Sequence, residues 1–406
     1  MLYLKLAWRN IWRNKRRTLI TMISVIMAVL FSSLMASMQQ GQYDQMINNS
    51  VGSFSGHIQI QGSKYFDDPI LDNSIEVDST LITNLKKNPL LLEVIPRIES
   101  YGLIGGDEKT KAGMVLGIDF KAERTLSKPN EKIISGEYFT SNSENTLLIS
   151  EGLASYLEVA VGDSVVILSS GYHGVSASGI FPVKGIMKFG IPELNKAMVY
   201  LPLETAQKLY GANNLVTYIS LLANNPKDVN EIVSEIEPTL GKDYRIYGWQ
   251  TLMPELIQAI QADRGSGYII LLVLYIIVGF GIFGTVLMMI AERRYEFGVL
   301  IAIGTSRMRL TSMIIMEMLS ITIFGTLGGI IISLPAIFYF NINPLRFSGD
   351  IAASIEEYGM EPFIRFSTDP EILFIQAGII LVISLVISIY PIVHMRKLKA
   401  VEAMRH

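Results

Sequence analysis

Charged residues are absent from four long windows of the chain: Thr18–Tyr43, Gly265–Ala291, Met318–Leu345 and Ile372–Met395. The windows are 26, 27, 28 and 24 residues long. At 1.5 Å rise per residue, about 20 apolar residues cross a ~30 Å hydrocarbon core, so each window can span a bilayer as one helix. Half of the residues are apolar and only 17% are charged, with a mean hydropathy of +0.37, a composition too apolar for an ordinary soluble protein. Within the first window the apolar run continues from Leu19 to Met38, longer than the roughly 7–15 apolar residues of a signal-peptide core, and reads as a retained anchor. Between the first two windows, residues 44–264 carry 45 charges and read as a water-exposed domain.

The charges are distributed unevenly. Segments 1–17, 291–311 and 394–406 together hold 14 basic and 3 acidic residues, whereas 39–266 holds 18 basic and 27 acidic and 341–371 holds 2 and 6. By the positive-inside rule, the termini and the middle loop face the cytoplasm and the large domain lies outside. The expected order is therefore an amphipathic leading helix (1–17), a first span (18–43), the outer domain (44–264), a second span (265–291), a cytoplasmic helix (292–305), a third span (306–340), a short outer loop (341–371), a fourth span (372–395) and a cytoplasmic tail (396–406). In the leading segment, Leu4, Trp8, Ile11 and Trp12 share one helical face and Lys5, Arg9, Arg13 and Arg17 another, as in a helix lying along a phospholipid surface.

The outer domain reads as mixed α/β. Alternating runs at 56–61 and 218–222 predict strands, and helices at Leu81–Leu92 and Asp228–Leu240 each sit between strand-like runs, suggesting two βαβ-type units. Residues 102–215 read as β-rich, with strands at Gly113–Ile118, Asn145–Ile149, Ser164–Leu168, Phe181–Ile186 and Met198–Leu201 and short helices at Glu151–Leu157 and Pro202–Leu209. The segment Ser169–Gly179, rich in glycine and serine, predicts an exposed, projecting hairpin.

Several chemistries are excluded. No G-x-x-x-x-G-K-[ST] string occurs in these residues, so they form no phosphate loop and are not expected to hydrolyse ATP. The string Gly279–Gly284 fits G-x-G-x-x-G but sits inside a span, where close helix packing is the better reading. Gly174-Val-Ser-Ala-Ser178 fails the serine-hydrolase elbow at its last position. There is no cysteine, and His57, His173, His394 and His406 show no ligand spacing, so no metal site is expected. Glu317, the one acid within a span, predicts an ion pair with Arg293 or Arg309 rather than a transport role.

Three stretches resemble the MacB/FtsX-type permease superfamily of ABC systems. These are the basic segment Leu6–Leu19 running into the first span; Glu292–Gly304, followed by Glu317, Gly325, Gly328 and Gly329; and the tail Pro391–Arg405, where Ala400 replaces a proline common in the family. In the outer domain, Ile149–Ala154, Val161–Asp163, Val183–Ile186 and Val199–Pro202 resemble the periplasmic core of macrolide-exporter and lipoprotein-releasing permeases. The most similar subfamily is the LolC/LolE type, which implies a permease subunit in the bacterial inner membrane that couples a separate ATPase to outer-domain motion and releases lipoproteins to a periplasmic carrier. MacB-like efflux and FtsX-like signalling to a cell-wall hydrolase are the alternatives. The resemblance implies a cytoplasmic ABC ATPase dimer that carries ATP and magnesium, and a second permease subunit, identical or paralogous; no nucleic acid is expected.

The resemblance also assigns residues. Glu292, Arg293, Arg294, Tyr295, Glu296, Phe297, Gly298, Leu300 and Gly304 would form the ATPase-coupling element, because a segment with so many apolar side chains in water should dock on something. Gly304 suits a helix C′ position, with Thr305 or Ser306 capping the next helix. Met22, Val25, Phe31, Met35, Met38 and Gly281 would form a substrate or dimer face, and Tyr172, His173 and Val175 the partner-contacting tip of the hairpin.

Overall fold

The computed structural model describes residues 15–77, 79–357 and 362–397. The leading amphipathic segment up to residue 14 and the tail from residue 398 lie outside the described residues. The chain forms two compact units: the described parts of Met1–Asp44, Ala259–Arg346 and Phe363–His406, and Gln45–Gln258 with Phe347–Pro362.

The first unit contains four helices long and apolar enough to cross a membrane. They run Lys15–Ile47, Pro254–Glu292, Arg307–Ile342 and Pro370–Ile387, the last followed by Ile389–Lys397. The second helix begins well before its uncharged window: Pro254 supplies a fixed φ at its first turn, and Asp263 and Arg264 continue the helix as a polar extension. Glycines seat the third helix on the first. A Cβ on Gly325 would lie 2.8 Å from Val25, and one on Gly329 2.6 Å from Val29, so only glycine permits this approach. Hydrogen bonds join the other spans: Tyr43 donates to Asp263 at 2.7 Å, Tyr275 to Gln376, and Thr322 and Ser384 pair at 2.8 Å.

The second unit is built on a ten-stranded sheet: β1 (Ile58–Gly62), β2 (Leu91–Gly105), β3 (Thr110–Ile118), β4 (Ile133–Gly136), β5 (Leu147–Ser150), β6 (Ser164–Ser170), β7 (Ser176–Met187), β8 (Met198–Pro202), β9 (Tyr218–Ala223) and β10 (Tyr244–Gly248). Its helices include α1 (Ser79–Leu85), α2 (Glu151–Leu157), α3 (Leu203–Leu209) and α4 (Val229–Ile236). The strands β10-β1-β9-β2 lie side by side, each pair antiparallel. Crossovers β1-α1-β2 and β9-α4-β10 therefore interleave as two split βαβ units, a ferredoxin-like arrangement. The chain between β2 and β9 forms a second body. Strands β2-β3-β8-β5-β7-β6 pair in sequence and β6 returns to β2, closing a six-stranded barrel with β4 on the outer edge of β7. Ile104, Val115, Leu147, Val165, Phe181 and Val199 are buried in the core, so the barrel is packed rather than hollow.

Two expectations are corrected here. Leu81–Leu92 is not one helix: α1 stops at Leu85, and Leu91 and Leu92 already belong to β2, because Pro89 biases Asn88 toward extended backbone and ends helical propagation. The hairpin at 169–179 exists, with Ser170 opposite Ser176, but its tip is fastened rather than projecting. The Tyr172 amide donates to the Tyr210 carbonyl at 2.8 Å, the His173 amide to Asp72 at 2.6 Å, and Tyr172 packs against the core. Only Val175 stands out as an exposed apolar contact.

Candidate functional site

Between the second and third spans the chain makes a rigid elbow. The second helix ends at Glu292, Arg293 takes a non-helical conformation, and a short helix runs Arg294–Ala302. This helix ends in a Schellman motif: the Gly304 amide donates to Ile301 at 3.0 Å and the Thr305 amide to Leu300 at 2.9 Å, with Gly304 at φ +97°. Ser306 then holds the N-cap position of the third helix, although its hydroxyl makes no capping bond.

Arg293 braces the elbow from inside. Its Nη1 donates to Glu317 Oε2 at 2.9 Å, its Nε donates to Glu296 Oε2 at 3.1 Å, and its guanidinium lies 5.2 Å from the Phe297 ring centroid. Glu317 and Phe297 are both 0% exposed. Phe297 packs with Val286, Met289 and Ile290 of the second span and Leu310, Ile314 and Met318 of the third. The Arg293 partner for Glu317 is thus the one realised among the alternatives that the sequence left open.

The coupling assignment therefore needs correction. Arg293, Phe297 and Gly298 are buried, and Leu300 is half-buried against the same cluster. Their apolar surface docks on the chain's own spans and offers nothing to a partner. Glu292, Arg294, Tyr295, Glu296 and Gly304 remain exposed. Tyr295 is 57% exposed and Ile303 73%, and eight residues' separation puts them on one helical face; Met308, 81% exposed, follows beyond the turn. Ile303 lies within the segment expected to dock, Glu292–Gly304, whereas Met308 belongs to this outward surface although it lies beyond that segment. The missed signal was periodicity: the helix carries two apolar stripes, and its own spans can cover only one.

The membrane faces sort similarly. Val25 is fully buried beneath Gly325, and Met38 is half-buried near Ile337, Phe366 and Leu373, so neither belongs to an outward face. Met22 and Met35 are half-buried. Phe31 is exposed, in an i, i+4 row with Leu19, Ile23 and Met27. On the second span, Gly281 and Gly284 have nothing within 4 Å of a virtual Cβ, whereas Gly279 meets Ile383 at 3.6 Å. Close packing at Gly281 and Gly284 is therefore not provided by the described residues of this chain. No group of three or more potential metal ligands occurs among the described residues.

Comparison with known proteins places these features in context. The FtsX-like permease C-terminal family model matches residues 268–400, and the MacB-like periplasmic core domain model matches residues 18–239. An uncharacterized ABC transporter permease of Methanocaldococcus jannaschii is 23% identical over 342 residues, 81% of this chain and 82% of the relative. The lipoprotein-releasing system transmembrane protein LolC of Xylella fastidiosa is 23% identical over 250 residues, and the match spans 60% of each chain. Among solved structures, the periplasmic region of MacB from Actinobacillus actinomycetemcomitans aligns with a TM-score of 0.37 at 15% identity, covering 53% of this chain and 97% of that one.

Proposed function

The chain belongs to the MacB/FtsX superfamily of ABC transporter permeases, and on that premise we propose that it is the membrane subunit through which a separate cytoplasmic ATPase dimer, carrying ATP and magnesium, moves the outer domain. The observation that carries this reading is the exposed stripe of Tyr295, Ile303 and Met308 on an elbow locked to the third span through Arg293 and Glu317. A partner that covers this stripe pushes on a lever rather than on a loose loop, and the buried ion pair passes the displacement to two spans at once. The orientation follows the charge bias: termini and elbow cytoplasmic, outer domain periplasmic, in a bacterial inner membrane. A second permease, identical or paralogous, would cover the open glycine face of the second span around Gly281 and the row through Phe31.

Within this class the cargo we favour is a lipoprotein, handed to a periplasmic carrier. Four spans with a large first outer domain and the likeness to LolC support that choice. The hairpin tip at Tyr172, His173 and Val175 is the proposed carrier contact, with Val175 as the outward side chain. Photo-crosslinkers at Val175 test it in cells: an adduct with a lipoprotein carrier supports release, an adduct with a membrane-fusion adaptor points to MacB-like efflux, and one with a cell-wall hydrolase to FtsX-like signalling. For the coupling itself, Ile303→Asp should abolish ATPase association in pull-downs while leaving the outer domain folded; undiminished association would refute the stripe.

A further inference from the structure

A cavity of about 540 Å³ opens in the second unit. Its wall combines His57, Lys128, Glu131 and Lys132 with the apolar Leu92, Leu222 and Pro226. His57 is 4% exposed, and its Nδ1 accepts the Ala223 amide at 3.1 Å. In the neutral ring that bond puts the remaining proton on Nε2, and Nε2 has no hydrogen-bond partner. Burial holds the ring below its ordinary pKa, so it stays a neutral donor near pH 7. A buried donor left unpaired is destabilising, and a bound acceptor would relieve that cost.

The charges around that donor favour an anion. Lys128 and Lys132 form no ion pair among the described residues; Lys132 lies 5.3 Å from the Phe189 ring, and burial keeps its ammonium below the usual lysine range. Glu123, the nearby buried acid, is already taken: Arg97 Nε donates to it at 3.0 Å and the Ser127 hydroxyl donates to its other oxygen. Glu131 alone opposes two lysines on the wall.

We propose that this cavity binds a small phosphate ester, with the phosphate between His57 Nε2, Lys128 and Lys132 and the carbon skeleton against Leu92 and Leu222. The donors come from two segments of the chain, His57 just before β1 and Lys128 and Lys132 at the two ends of one helical turn, and three donors suit a tetrahedral group with several acceptor oxygens better than a planar carboxylate. The volume lies within the roughly 300–1,000 Å³ range of small-molecule sites. A soluble ester and a phospholipid headgroup present the same chemistry.

The test uses the full chain in phosphatidylcholine nanodiscs, titrated calorimetrically with inorganic phosphate, sn-glycerol 3-phosphate and succinate. In parallel, native mass spectrometry measures retention of phosphatidylglycerol from mixed nanodiscs. Saturable binding of sn-glycerol 3-phosphate identifies a soluble source, and selective retention of phosphatidylglycerol a lipid source. In either arm Lys132→Gln and His57→Phe should weaken binding at least tenfold, and Lys242→Gln should change nothing. Lys132→Gln keeps the test decisive if His57→Phe folds poorly. Absence of binding in both arms, equal binding by Lys132→Gln, or succinate binding as tightly as the phosphate ester would overturn the proposal.

Discussion

Arg293 holds the elbow by three contacts at once, and its loss should be felt beyond the residue itself. Replacing Glu317 by alanine leaves a buried guanidinium without its carboxylate at 2.9 Å, a change that typically costs about 3–5 kcal/mol. We expect a large drop in melting temperature of the detergent-purified chain. Arg293→Met combined with Glu317→Leu, which removes both charges, should recover most of it; a double variant as unstable as the single would show that the pair is not the unit that matters. His57 supplies a pH dependence of definite sign. Its folded pKa lies below its ordinary value of 6.5, so beneath that pH the unfolded chain takes up a proton that the folded ring resists, and stability falls as pH drops through about 6.5. Thermal unfolding at pH 7.5 and 5.5 should show this loss, and His57→Gln should flatten the difference relative to the parent chain. An unchanged pH response in the variant would remove His57 from the account.

At the scale of elements, the elbow shows what a sequence pattern can and cannot tell. The apolar residues of Glu292–Gly304 correctly require burial, yet a pattern cannot say whether the covering surface is another protein or the neighbouring span. Phe297, one of the side chains assigned to the coupling element, is consumed internally, and the outward stripe belongs to Tyr295 and Ile303. Phe297→Asp is therefore expected to destabilise the chain itself, whereas Ile303→Asp should leave its melting temperature within a degree or two. The same distinction applies to glycines. Gly329→Ala puts a Cβ 2.6 Å from Val29 and should destabilise by about 1–3 kcal/mol, whereas a Cβ at Gly281 has no atom of the described residues within 4 Å. If the second span faces a second permease, Gly281→Leu should lower the dimer fraction in detergent without changing unfolding; an unchanged dimer fraction would move the interface elsewhere.

For the whole molecule, four spans and an intervening α/β domain were legible because their signals are long: uncharged windows and a charge asymmetry that runs from end to end. Helix α2 was legible to the residue, since Glu151–Leu157 follows a strand that ends at Ser150. The closure of six strands into a barrel was not, because β6 meets β2 through only a short register, Leu103–Gly105 against Leu168–Val166, whose first pair is 65 positions apart in sequence, and no local pattern encodes that contact. The polar start of the second helix was hidden for a related reason: charge marks where a helix leaves the hydrocarbon, not where it stops being a helix. In the proposed function, ATP bound by a separate cytoplasmic subunit displaces the outer domain through the elbow. The chain has no cysteine, so spin labels can be placed singly by substituting the exposed Val175 in the outer domain and Ile342 at the end of the third span. Electron–electron double resonance between these sites, with the cognate ATPase in nanodiscs, measures the displacement directly. The distance distribution should shift when ATP and vanadate are added, and Ile303→Asp should remove the shift. A distribution unmoved by nucleotide, while the bound ATPase hydrolyses ATP, would contradict the proposed function.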